Sequence, residues 1–276
     1  MQTEDNELED GLLSQDELLS DWEFYQAERF SQPATLLVHL GLLEEAPVEG
    51  LSRRVDVSIP LEITPDNFLA IEEDEKLEAL EEWMYDYSES QEGMYVGRVT
   101  IATQRTYSYY VSEKFDVEVF VSALKQQFSA VSFQVQAEED PEWSYYIDVL
   151  YPENLEFHIL KNLYLVNILQ ESGDNVALER PVSHFVYFED KTKLEEFKKQ
   201  IESKGYRITE TEFIDPHAEE EHDCKEDHSP MWACIFEKNT SIEYPTICQV
   251  CAEIIELAET HEGEYDGWET EVMLPE

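Results

Sequence analysis

Basic residues are scarce in this chain. Lysine and arginine number 18 against 64 aspartates and glutamates, a formal charge of −46 at neutral pH over 276 residues. Residues 1–160 hold 36 acids and 8 bases and residues 161–276 hold 28 and 10, so the deficit runs the whole length. Nucleic-acid binding needs Lys and Arg to displace phosphate counterions, and anionic membranes attract the same side chains, so neither is expected as a direct partner. Glycine is also scarce, at nine, which argues against Gly-rich phosphate cradles. A Walker pattern, a nucleophile elbow and a His-Glu-x-x-His helix are all missing. No apolar run approaches the roughly 20 residues of a membrane helix. The opening stretch Met1–Asp10 is acidic where a secretory signal would be basic and then apolar, which gives a cytoplasmic expectation. The four cysteines, Cys224, Cys234, Cys248 and Cys251, all lie in the second half and are expected as thiols in that compartment.

What is present is enough to build cores. Apolar residues make up 42% and aromatics 12%, and the length fits two domains at about 150 residues each. Residues 1–20 read as an acidic arm. From Trp22, short runs rich in aromatic and branched residues read as strands over 22–30, 35–40 and 53–61. Residues 67–85 show helical spacing at Phe68, Ile71, Leu77, Leu80 and Met84. A hairpin follows over 95–101 and 106–111, then a helix over 117–128 and a strand over 132–137. These make a mainly antiparallel α+β domain over 21–153. Residues 154–174 read as a connecting helix closed by Gly173-Asp174.

Residues 175–276 give a cleaner pattern. Strands are expected over 182–188, 206–213, 232–237 and 264–272. One helix over 191–204 has Leu194, Phe197 and Ile201 on one face and ends at Gly205. A second, over 246–260, buries Ile247, Val250, Cys251, Ile254 and Ala258. The order β-α-β-β-α-β is the ferredoxin-like pattern: an antiparallel four-stranded sheet with two helices on one face.

The segment Glu264-Tyr265-Asp266-Gly267-Trp268, with Thr270 behind it and the helix Ile247–Ala258 in front, resembles the bacterial family called regulator of ribonuclease E activity B. The strand over 182–188, the helix over 191–205 and the acidity fit too, and the likeness covers about the last 115 residues. It implies a ferredoxin-like fold and a non-enzymatic role, binding a ribonuclease and lowering its activity. The family's long polyacidic tail has no counterpart in Met273-Leu274-Pro275-Glu276. The first half resembles an uncharacterised bacterial domain family sometimes fused ahead of this module. The likeness rests on Trp22, Met94-Tyr95-Val96-Gly97-Arg98-Val99-Thr100, Tyr109-Tyr110, Asp140-Pro141-Glu142-Trp143 and Tyr151-Pro152.

Three groups of residues invite a chemical reading. His217, His222, Cys224 and His228 share one polar loop with many acids. They are zinc-type ligands at no standard structural spacing, so a solvated acidic loop is the simpler reading. Cys248-Gln-Val-Cys251 has C-x-x-C spacing near a helix start, where the dipole lowers a thiol pKa, yet Cys251 falls in the apolar stripe and acts there as a small hydrophobe. Arg53, Arg54, Arg98 and Arg105 accompany Tyr107, Tyr109 and Tyr110. Gathered together, Arg53, Arg98, Arg105 and Tyr109 would make a basic-aromatic spot for a carboxylate or phosphate; pairing with the abundant acids is the plainer alternative. Lys191, Lys193, Lys198, Lys199, Lys204 and Arg207 give the first helix of the second domain a positive side, with pairs such as Glu195–Lys199 expected.

The expected protein is a non-enzymatic regulator without cofactor or metal. Its partner is a protein, basic or RNA-processing, met through Glu219, Glu220, Glu221 and Asp223 in the loop and Tyr265, Asp266 and Trp268 in the last strand. The alternatives are an immunity-like or nucleic-acid-mimicking inhibitor of a nuclease, and a metal-dependent enzyme built on the loop His217–His228.

Overall fold

The computed structural model describes residues 19–61, 71–90, 93–215 and 229–274. The chain divides into two compact units, residues 1–153 and 154–276.

The first unit holds strands β1 (Trp22–Arg29), β2 (Gln32–His39), β3 (Arg53–Pro60), β4 (Met94–Ile101), β5 (Gln104–Val111) and β6 (Gln134–Glu139), with helices α1 (Ile71–Ser90) and α2 (Val117–Gln127). The strands form one antiparallel sheet in the order β1-β2-β4-β5-β3-β6. Alternation along β3 and β5 sends Val55, Val57, Tyr107 and Tyr109 to one face, where they pack with Leu80 and Met84 of α1 and Phe120 and Leu124 of α2. Asp116 caps α2, its carboxylate accepting from the Glu118 and Val119 N–H groups at 3.0 Å each.

Tyr110 alternates to the opposite face and stacks on Trp143, ring centres 4.1 Å apart. Its hydroxyl donates to Asp140 at 2.6 Å, and Asp140 also accepts from the N–H groups of Ser144 and Tyr145. The turn Tyr146–Leu150 that follows is π-helical and tied to the sheet: Tyr146 donates to the His39 carbonyl and Tyr25 to the Leu150 carbonyl. The sequence pattern left this layer unassigned, because a single π-helical turn has no repeating period.

The second unit begins with α3 (Asn154–Glu171), followed by β7 (Arg180–Phe188), α4 (Lys191–Ser203), β8 (Arg207–Ile214), β9 (Met231–Thr240), α5 (Tyr244–Thr260) and β10 (Gly263–Glu269). Its antiparallel sheet runs β10-β7-β9-β8, the ferredoxin-like order in which each helix carries the chain across a neighbouring strand. Val182, Val186 and Phe188 of β7 and Phe236 of β9 face Leu194, Phe197 and Ile201 of α4 and Ile247, Ile254 and Ala258 of α5. The helix expected as a connector is part of this core: α3 packs on α5 and buries Val166 and Leu169 there. Among the described residues, no helix is long and apolar enough to cross a membrane.

Candidate interaction site

The last strand breaks its register against β7. Tyr265 lies opposite Val186, but the next paired residue is Gly267, opposite Phe185, and Trp268 follows opposite His184. Asp266 is the extra residue of a β-bulge. Residues three apart in a regular strand face opposite sides; the bulge turns Tyr265 and Trp268 to the same side, under the helices, where each is only 3% exposed. Gly267 has φ +141°, a conformation that a side chain disfavours. This geometry accounts for the Tyr-Asp-Gly-Trp segment: two inward aromatics, one outward acid and the glycine that makes the offset possible.

Behind the strand lies a buried polar cluster. The indole N–H of Trp268 donates to Asn162 Oδ1 at 2.7 Å. The hydroxyl of Tyr265 lies 3.0 Å from His184 Nδ1 and 3.3 Å from Cys251 Sγ. Its backbone carbonyl accepts from His158 Nε2 at 3.0 Å, which places the proton of that ring on Nε2. Asn162 is also within sulfur hydrogen-bond range of Cys248 and Cys251, at 3.7 and 3.8 Å.

Burial sets the charge state of this cluster. It lowers His184 to about 3. It lowers His158 to about 4, with the Lys161 ammonium acting in the same direction. It raises Cys251 to about 11 and Tyr265 well above its ordinary value. At neutral pH these imidazoles, the thiol and the phenol are all uncharged. A thiolate nucleophile and a base poised near pH 7 are therefore missing from the cluster. Its chemistry is cohesion, joining α3, α5, β7 and β10.

The residues singled out from the sequence are dispersed. Tyr265 and Trp268, expected at a partner surface, are core residues because of the bulge; Asp266 is exposed. Glu219, Glu220, Glu221 and Asp223 lie outside the described residues, as do His217, His222, Cys224 and His228. Among the described residues no group of three or more His, Cys, Asp or Glu is arranged to hold a metal ion. The arginines of the first unit are not brought together. Arg54 pairs with Asp56 and Glu138 at 3.0 Å and lies over the Tyr145 ring. Arg98 pairs with Glu81 at 3.0 Å, and Arg53 stands 4.0 Å from Glu139. Arg105 is buried against Thr100, and Tyr109 is in the core. The arginines are spread over β3, β4 and β5, and Arg53, Arg54 and Arg98 each meet an acid. On α4, Lys198 pairs with Glu195, three residues away, and Lys193 reaches Glu262.

His158, Asn162 and His184 were not read as site residues. A signal existed for His184, which occupies an inward position in the alternation Val182, His184, Val186. Asn162 shares its helix face with His158, Val166 and Leu169, and nothing local names its partner 106 residues away.

The second unit is thus a ferredoxin-like domain with an added helix and a bulged last strand. The family model described as regulator of ribonuclease activity B matches residues 161–270, and a family of unknown function (DUF695) matches residues 20–151. The arrangement is the one read from the sequence, with the regulator-like module behind the module of unknown function. The regulator match takes in Asn162, His184, Cys251, Tyr265 and Trp268, most of the buried cluster. No curated protein matches the chain. A solved structure of an unknown protein from Galdieria sulphuraria is 10% identical, covering 80% of this chain and 99% of that one, with a TM-score of 0.23.

Proposed function

We propose that this chain is a non-enzymatic regulator that binds a ribonuclease, of the ribonuclease E type, and changes its activity by protein–protein contact. One observation carries the reading: the regulator match falls on the unit whose buried thiol and imidazoles are uncharged and committed to packing. A domain built this way acts through its surface. That surface is acidic, so the complementary patch on the partner is basic, and long-range attraction speeds encounter. The loop acids Glu219, Glu220, Glu221 and Asp223, with Asp266 at the bulge, contribute to this attraction. Tyr265 and Trp268 act from inside, by fixing the strand that carries Asp266. RNA is not a direct ligand, and the complex forms in the cytoplasm.

The experiment is co-sedimentation of the purified full chain with the host's ribonuclease, in the absence of RNA and over a salt series. A complex is expected at low salt, weakening as the screening length falls to about 8–10 Å and below. Binding of RNA itself, or no complex at any salt, overturns the reading. The charge of −46 also favours a second reading, in which the chain mimics nucleic acid in the enzyme's substrate groove. RNA then competes with the chain for the enzyme, whereas a regulator bound elsewhere tolerates RNA.

A further inference from the structure

The sheet of the second unit has one face under its helices and one turned away from them. Strand register fixes what the outer face carries, because directly opposed residues share a side. One row across the four strands reads Glu264, Tyr187, Ala233, Glu212. The next reads Gly267, Phe185, Ile235, Glu210. The third reads Glu269, Ser183, Glu237, Arg207. In the first two rows the central strands present apolar side chains; the β8 edge presents a carboxylate in each, and the β10 edge carries Glu264 in the first row, no side chain at Gly267 in the second and Glu269 in the third. Phe185, Tyr187 and Ile235 stay part-exposed, while Glu210, Glu212, Glu264 and Glu269 are exposed. The one cation in the rows, Arg207, is taken by Glu237.

The dimensions say what fits. Neighbouring strands are about 4.8 Å apart, so the two lines of carboxylates stand about 14 Å from each other. An α-helix with its side chains is about 10–12 Å wide. Laid along the strands, a helix covers the apolar stripe and brings each of its flanks to within about 1–2 Å of a carboxylate line, in reach of a Lys or Arg head. We propose that this face docks an amphipathic basic helix of the protein partner, with apolar residues on one side and Lys or Arg along both flanks. The inference rests on the reading of the chain as a protein-binding regulator, and it adds where the partner sits and in what form. Nucleic acid is disfavoured because four carboxylates would face its phosphates. A second copy of the chain is disfavoured because a two-fold contact through this face sets like-charged margins against each other.

The test uses the full chain and three labelled peptides, read by fluorescence anisotropy. The first is a helix-forming peptide with leucine on one face and arginine on both flanks. The second has the same composition in scrambled order, and the third alternates lysine and valine to favour an extended strand. The first is expected to bind at least about tenfold more tightly than either other. The quadruple variant Glu210→Gln, Glu212→Gln, Glu264→Gln, Glu269→Gln is expected to lose about tenfold in affinity for it. Removing four exposed acids of the first unit instead (Asp86→Asn, Glu113→Gln, Glu118→Gln, Glu142→Gln) is expected to change it by less than about twofold. Equal losses in the two variants assign binding to bulk charge and overturn the proposal. Equal affinity for the scrambled peptide, or tighter binding of the extended one, overturns it as well. Ribonuclease binding that survives the outer-face variant sinks this site and leaves the regulator reading standing. Peptide binding without any ribonuclease complex sinks the regulator reading and leaves the site.

Discussion

Trp268 and Asn162 join the two ends of the second unit: the indole N–H of the last strand donates to the amide oxygen of the first helix at 2.7 Å. Both residues are almost fully buried, at 3% and 2% exposure, so the bond is made out of water, where an unmade one is costly. Trp268→Ala removes both the bond and a large apolar volume and is expected to cost about 3–5 kcal/mol. Asn162→Ala strands the indole N–H and is expected to cost about 1–3 kcal/mol. In a double-mutant cycle by urea denaturation the two losses add to more than the double variant's loss. Strict additivity contradicts the bond.

The bulge makes a second prediction. Gly267→Ala puts a side chain on a backbone at φ +141°, with a strain of about 1–3 kcal/mol. Lower stability and a weakened near-UV circular dichroism signal are expected as the strand shifts register. The same device occurs in the first unit, where Val96 is the extra residue and Gly97 has φ +149°. A Cβ there would lie 2.4 Å from the Leu37 carbonyl oxygen, so Gly97→Ala is expected to be the more damaging of the two. Wild-type stability in both variants contradicts this account of the strands.

The place of α3 gives a third. A fragment of residues 154–276 is expected to fold alone, with a cooperative urea transition. A fragment starting at residue 175 loses His158, Asn162, Val166 and Leu169 and is expected to lack that transition. Equal behaviour of the two fragments makes α3 a linker after all.

The buried histidines predict a pH dependence. Burial holds His184 at about 3 and His158 at about 4, against an ordinary value near 6.5. Above about pH 6.5 neither the folded nor the unfolded chain protonates them, and their full contribution to stability is present. As pH falls toward 4 the unfolded chain takes up protons that the folded core refuses, so stability drops by up to about 1.4 kcal/mol per pH unit for each histidine. Relief of acidic self-repulsion opposes this loss in the same window. The informative quantity is therefore the difference from a His184→Phe variant, whose stability is expected to fall less steeply between pH 6.5 and 4.5. Parallel slopes contradict the neutral buried imidazole.

The two segments that carried most of the likeness, Met94–Thr100 and Glu264–Trp268, are bulged strands with the same Tyr-x-Gly core. Their Tyr and Gly are set by packing and backbone geometry, which is why the segments were legible as markers and why Tyr265 and Trp268 misled as a binding surface. The second unit's element order was readable because α4 and α5 have clean apolar stripes and β7 alternates strictly. The buried cluster was not, because Asn162 and Trp268 meet only through the tertiary fold. The outer face of the sheet was invisible for the same reason: Glu264, Tyr187, Ala233 and Glu212 become neighbours only once the strand order and register are fixed.

The central claim is regulation of a ribonuclease by direct binding, and a cleavage assay reaches it most directly. The initial rate at which the host's ribonuclease E-type enzyme cuts a defined RNA is measured against increasing concentrations of the full chain. A saturable fall in rate is expected, half-complete near the dissociation constant measured without RNA and reversed by high salt. A rate that stays flat while the two proteins are shown to be folded and in excess of that constant contradicts the account.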